Sequence, residues 1–103
     1  MNEERSEYPL SLRINGRDLN RVVIDQHYKD KHADLNDELI LELVKTLNGR
    51  NFDVEEKRGI FEYFAVEPVL LEEEKPYRLV LLLCIHDDYL GVINAFRVRR
   101  RKK

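Results

Sequence analysis

The run 77–98 constrains this chain more than any other part of it. Segment 77–85 (Tyr-Arg-Leu-Val-Leu-Leu-Leu-Cys-Ile) is apolar at nearly every position. A strand that is apolar on both faces belongs in the middle of a sheet, because an outer or half-exposed strand alternates polar and apolar residues. His86-Asp87-Asp88-Tyr89 then supplies a turn, and 90–98 supplies a second apolar strand. The chain is therefore expected to build a sheet around this hairpin.

The rest of the sequence supplies the flanks. Tyr8, Leu10, Leu12 and Ile14 alternate with polar residues, the pattern of a half-buried strand. Asn15-Gly16 follows, a pair that tolerates positive φ and marks a hairpin. The return strand is expected over 21–25, rich in β-branched residues, with 17–20 lengthening the connection. Residues 27–33 are polar and lead into a helix that Asp34 or Asn36 can cap. Asp37 and Glu38 fall in its first turn, where the helix dipole favours negative charge. Leu35, Leu39, Ile40, Leu43, Val44 and Leu47 form one apolar stripe at helical spacing, and Asn48-Gly49 ends it after about four turns. A strand over 60–66 follows a bend at Gly59, and Pro68 and the charged run 71–76 lead to the central strand. The expected fold class is α+β, in the order β-β-α-β-β-β. A single antiparallel sheet carries one main helix packed on one face.

Length and composition set the limits. A chain of 103 residues with a 43% apolar share is expected to form one domain, 1–103, with 1–7 and 99–103 as flexible tails. No apolar run approaches the roughly 18–20 residues that span a bilayer, and the acidic start is unlike a signal peptide. The protein is expected to be soluble and cytoplasmic, with no membrane partner. Cys84 is the sole cysteine and lies in an apolar strand, so it reads as a small buried hydrophobe. The net charge of −2 is unevenly spread. Six of the 18 Lys and Arg residues lie from Arg97 onward, with no acid among them; the body before them carries a net −8. Phosphate contacts supply most non-specific nucleic-acid affinity, so any such contact has to be local. The basic end also suits an acidic protein partner.

Two groups of residues could carry chemistry. His27, Lys31 and His32 lie between a strand end and a helix start, a place that brings side chains to the rim of a sheet. Imidazoles and ammonium groups there suit a general base, a general acid and a phosphate stabiliser. His27 and His32 are also spaced for metal ligation on a helix, but no third ligand follows, and neither a metal nor a cofactor is expected. An ordinary solvated connection accounts for the same residues. In the second group, Tyr77, Arg78 and His86 belong to the central strand and its turn, and Arg97 to the last strand. An antiparallel pair around Asp87-Asp88 brings Arg78 and Arg97 to the same end. Arginines on an apolar sheet either bind an anion or pair with acids, here Glu62 or Glu67. Arg99 and Arg100 extend the cationic end. The absence of Trp and the scatter of tyrosines give no evident aromatic platform for single-stranded nucleic acid.

The layout resembles a known group. Ile24-Asp25-Gln26-His27, Lys31-His32, the stretch 37–44, Tyr77-Arg78 and Asn94-Ala95-Phe96-Arg97 are similar in order and residue type to small domains of the barnase–EndoU–colicin–RelE superfamily. The resemblance spans about 22–97 and is one of layout, since the superfamily has no tight motif. It implies a helix followed by a four-stranded antiparallel sheet, and a ribonuclease of the toxin type acting without metal. It further implies His27 or His32 as acid or base, with Lys31, Arg78 and Arg97, and by extension Arg99 and Arg100, around the phosphate. Tyr77 would assist, and RNA and an antitoxin-like protein would be the partners. The residues themselves leave two other classes open: a non-catalytic protein-interaction module, using a sheet edge or the tail to bind a protein or a second copy as a homodimer, and a nucleic-acid-binding accessory protein.

Overall fold

The computed structural model describes residues 5–30, 34–71 and 75–98. Among the described residues are six strands and one α-helix: β1 (Arg5–Ile14), β2 (Arg17–Asp25), α1 (Asp37–Lys45), β3 (Glu56–Arg58), β4 (Phe61–Leu70), β5 (Pro76–Cys84) and β6 (Tyr89–Arg97). A 3₁₀ turn, Gln26–Asp30, joins β2 to the approach to α1. All six strands form one sheet in the order β1-β2-β6-β5-β4-β3. The sheet is mixed, which corrects the expectation of a purely antiparallel one. Four of its pairings are antiparallel, but β2 runs parallel to β6, with Arg21 beside Tyr89 and Ile24 beside Val92. The cause lies in the connections. The β1–β2 hairpin and the β4–β5–β6 strands are each locally antiparallel. The long crossover through α1 lets the two units join in parallel, as crossover connections do.

The first hairpin is tighter than expected. Asn15 (φ 54°) and Gly16 (φ 75°) form a two-residue turn, and 17–20 belong to β2. Both positive φ values match the hairpin turn whose twist suits flanking strands. The extra length is absorbed in β1 instead. Pro9 pairs with Arg21 and Leu12 with Leu19, so two residues of β1 oppose one of β2 in a bulge. Arg5, Ser6 and Glu7, expected in a flexible tail, are part of β1.

The helix is shorter than four turns. Asn36 caps it, its side chain accepting from the Leu39 amide at 2.8 Å, and it ends at Lys45 before a run of turns. Gly49 (φ 85°) does take the left-handed conformation, but as the last residue of that run, four residues past the helix. There the Gly49 amide donates to Arg13 O at 2.6 Å and Asn48 Oδ1 accepts from the Arg13 amide at 2.8 Å. These bonds tie the end of the helical segment to the outer strand β1.

Ile40, Leu43, Val44 and Leu47 are completely buried. They share one apolar cluster with Leu12, Ile14, Val22 and Ile24 from the first hairpin and Leu79, Leu81, Leu83 and Leu90 from the second. Cys84 is buried and unpaired. The last strand carries an irregularity. Val80 pairs with Asn94 but Leu81 with Val92, so Ile93 is an extra residue in β6. The bulge exchanges the faces beyond it, so Ala95 is buried and Phe96 is half-exposed.

Candidate functional site

The parallel joint decides which residues meet. Since β2 is parallel to β6 and β6 antiparallel to β5, the C-terminal ends of β2 and β6 and the start of β5 lie at one end of the sheet. Asp25, His27, Arg78 and Arg97 all belong to that end. Asp25 closes β2, and its Oδ1 accepts from the His27 amide at 2.9 Å. The same oxygen meets His27 Nδ1 at 3.1 Å, so the carboxylate fixes the ring from one side. The His27 side chain is 81% exposed, which leaves Nε2 open to solvent. The sequence shows the signal in retrospect: an Asp two residues before a turn residue forms this kind of side-chain-to-backbone link.

The other candidates are placed less favourably. Arg78 pairs with Phe96 in register and Arg97 with Tyr77, so the two arginines project from opposite faces. Arg78 Nη1 binds Glu67 Oε1 at 2.8 Å, one of the two ion pairs anticipated for it. Arg97 is exposed. Tyr77 is 7% exposed, and its ring belongs to the core cluster. His86 sits in the β5–β6 turn, at the opposite end of the sheet from His27. Lys31, His32, Arg99 and Arg100 lie outside the described residues.

Three polar clusters were not legible in the sequence. At the His86 end, Arg21 Nη2 binds Asp87 at 2.8 Å, its Nη1 binds Glu7 at 3.0 Å and its Nε binds Asp88 at 3.2 Å. The guanidinium also lies over the Tyr89 ring, 5.4 Å from its centroid. Glu7, then Asp88 and Asp87, hold Arg21 above even its ordinary range, so its charge is fixed. Nearby, Arg17 Nη2 donates to the carbonyls of Cys84 (2.6 Å), Ile85 (3.1 Å) and Asp87 (3.3 Å), clamping the β5–β6 turn.

The third cluster joins three elements. Asp37 opens α1 and accepts from Tyr8 Oη (2.5 Å), Tyr28 Oη (2.6 Å) and the Gln26 amide (3.2 Å). Burial pushes its carboxyl up, but the bonds from Tyr28, Tyr8 and Gln26 outweigh burial and hold it below the usual range. Burial, then the bond to Asp37, raises the Tyr28 phenol, which is 2% exposed. The network pins the helix start to β1 and to the 3₁₀ turn that carries His27.

The sheet face away from the buried cluster is apolar as well. Val23, Phe61, Tyr63, Leu82, Tyr89 and Ile93 are half-buried there and line a groove of about 300 Å³, bordered by Arg5 and Asp25. Two of the five tyrosines, Tyr63 and Tyr89, share this surface with Phe61, while Tyr28 and Tyr77 lie in the core. Arg58 lies over Tyr63 at 5.7 Å, as Arg21 does over Tyr89.

Among the described residues no helix is long and apolar enough to cross a membrane, and no group of three His, Cys, Asp or Glu side chains could hold a metal ion. Comparison with protein-family models, with curated proteins and with solved structures finds no match.

Proposed function

We propose that this chain is a metal-independent RNA-cleaving domain of the toxin type, acting at the sheet end that carries Asp25 and His27. One observation carries the reading. The parallel joint between β2 and β6 draws the Asp25–His27 pair to the end where Arg78 and Arg97 stand and where the basic C-terminal residues begin. An imidazole oriented by a carboxylate, beside cations, is the constellation that cleavage of a phosphodiester by its own 2′-hydroxyl requires. His27 Nε2 takes the 2′-OH proton. The oxygen attacks phosphorus and the 5′-oxygen leaves, which forms a 2′,3′-cyclic phosphate. Arg97 stabilises the charge that gathers on the phosphoryl oxygens. Arg78 joins it only by giving up Glu67. Lys31 and His32, four and five residues beyond His27, are the candidates to protonate the leaving oxygen.

The test is incubation of purified protein with total RNA in chelator. Cleavage with cyclic phosphate ends is expected. His27→Ala should lower the rate by about 10²–10⁴, the range for a positioned base, with the far-ultraviolet circular dichroism unchanged. Absence of cleavage at micromolar protein, or cleavage indifferent to the loss of both His27 and His32, overturns the reading.

A second reading rests on a different observation. His27 is open to solvent, Arg78 is already paired, and an apolar groove lies on the open sheet face. That combination suits a non-catalytic interaction module. Charge favours the first reading in one respect: the six cations from Arg97 onward follow directly on the strand that reaches the His27 end.

A further inference from the structure

We infer that Asp37 is a positioning residue for His27, acting through Gln26 and Tyr28 to set which ring nitrogen carries the proton. This rests on the reading of His27 as the base and adds what keeps that base in its working state. A 3₁₀ turn has about three residues per turn, so the consecutive side chains of Gln26, His27 and Tyr28 point in three directions. Two of the three end on one carboxylate. Tyr28 Oη donates to Asp37 Oδ1 at 2.6 Å, and Gln26 Nε2 lies 3.2 Å from both Asp37 oxygens. The Tyr28 side chain is buried, so it holds the turn by packing as well as by its hydroxyl. With both neighbours drawn inward the roll of the turn is fixed. The middle side chain is left pointing out, and that of His27 is 81% exposed.

The ring and its acceptor ride on different elements. Asp25 ends β2, in register with Arg5 of β1, whereas His27 belongs to the turn. Asp25 Oδ1 lies 2.9 Å from the His27 amide and 3.1 Å from Nδ1. Both contacts last only while the turn keeps its roll against the sheet. A carboxylate can only accept, so the neutral ring must present Nδ1–H to Asp25. The partner of one ring nitrogen decides the state of the other, which leaves Nε2 as the basic atom. Asp37 is in turn held from two sides. It opens α1, whose Ile40, Leu43 and Val44 are fully buried, and Tyr8 of β1 donates to its Oδ2 at 2.5 Å. Its carboxyl is held below the usual range, so both oxygens accept at neutral pH. A fully satisfied polar network rigidifies the elements it joins. Its donors have separate tasks: Tyr8 ties Asp37 to the sheet, and Tyr28 and Gln26 tie it to the His27 turn. Because the packing of α1 also holds Asp37, losing Tyr8 costs stability and leaves the turn in place.

The experiment is nitrogen-15 NMR of the imidazole rings in the full chain at about pH 8.5, above the ordinary titration range of histidine. His86, exposed at the other end of the sheet, is the internal reference. The expected spectrum shows His27 with Nδ1 protonated and Nε2 bare. Asp37→Asn should shift the Nδ1–H to Nε2–H ratio at least about tenfold toward that of His86, the effect of losing a hydrogen bond to a charged group. Tyr28→Phe should move it in the same direction, and Tyr8→Phe should leave it unaltered. A His27 ring without the Nδ1 proton in the unaltered protein overturns the inference. So does a ratio that stays the same in Asp37→Asn or Tyr28→Phe. A ratio that Tyr8→Phe alters as much as Tyr28→Phe also overturns it and leaves the network a purely stabilising one. Should Asp37→Asn fail to fold, Tyr28→Phe, which loses a single hydroxyl, carries the test. In the RNA assay Asp37→Asn should lower kcat and leave KM unchanged, since Asp37 reaches the ring only through its neighbours; a raised KM with kcat intact counts against it. The NMR arm needs no RNA. A ring that responds as expected in a protein that cleaves no RNA removes the ribonuclease reading and keeps the positioning.

Discussion

The two faces of this sheet are built from similar residues and meet different surroundings. On one face Leu79, Leu81 and Leu83 of β5 are fully buried with Ile40, Leu43 and Val44 of α1. On the other, Val80 and Leu82 of the same strand are half-buried beside Tyr63 and Tyr89, and Arg78 carries an ion pair. One strand therefore supplies both a core and a surface. Hydropathy alone cannot tell these apart, because period-two alternation vanishes when both faces are apolar. The difference lies in what arrives to cover each face. Among the described residues there is one α-helix, and its buried side chains belong to the cluster of Leu79, Leu81 and Leu83.

The sharpest way to break the comparison is to truncate each face in turn. Leu81→Ala removes a fully buried side chain and should destabilise the fold by about 2–5 kcal/mol. Leu43→Ala, its counterpart on the helix, should cost a similar amount. Leu82→Ala on the open face should cost under about 1 kcal/mol. Denaturant melts of the three variants check this. Equal losses at Leu81 and Leu82 would mean that the second face is as covered as the first.

The Asp37 network offers a smaller effect with a characteristic pH signature. The carboxyl of Asp37 is held below its ordinary value of 3.8. The unfolded chain therefore binds the proton more readily, and the stabilisation is fully present above pH 4 and lost as pH falls through the folded value. Tyr28 and Tyr8 are shifted upward from 10.0. Their contribution is present below pH 10 and is lost as pH rises beyond it. Asp37→Asn should cost about 1–3 kcal/mol at pH 7, as loss of hydrogen bonds to a charged group does. It should also flatten the acid limb. Tyr28→Phe should cost about 1 kcal/mol and flatten the alkaline limb instead. Melting temperature against pH for the three proteins checks both. An acid limb unchanged in Asp37→Asn would show that other carboxylates govern it.

Much of the local structure was legible because local rules wrote it. Asn15-Gly16 dictates a tight turn, Asn36 and Asp37 a helix start, and Tyr8 to Ile14 an alternating strand. What escaped depends on long-range choices. Parallel pairing of β2 with β6 joins Arg21 to Tyr89 and Asp87, 66 and more residues away, and no pattern near Arg21 announces it. Single extra residues had the same effect. The bulge at Ile93 turned Phe96 outward and Ala95 inward, and the bulge after Pro9 moved the lengthening from the turn into the strand. The three-residue β3 is exposed throughout, so it left no apolar signature. For the site, His27 and the arginines were visible as residue types. Their common position at one sheet end was not, because it follows from the parallel joint.

The smallest expected effect separates two roles for Arg78. Its pair with Glu67 is partly exposed on both sides, at 37% and 38%. Such pairs contribute about 0.2–1 kcal/mol, and solvent and salt screening hold this one to the lower part of that range. Glu67→Ala should thus hardly change the melting temperature, and less still in 0.5 M salt. Its effect on RNA should go the other way. If Arg78 serves only the ion pair, releasing it alters nothing beyond one charge. If Arg78 takes part in phosphate binding at the His27 end, Glu67 competes with the substrate for it. Its removal should then tighten RNA binding and steepen the decline of affinity with salt by about one phosphate contact. Titrations of labelled RNA at several salt concentrations, with Arg78→Ala as the opposite limit, measure this. An affinity and salt slope that are the same in Glu67→Ala, in Arg78→Ala and in the unaltered protein would remove Arg78 from the site and leave it as a surface pair.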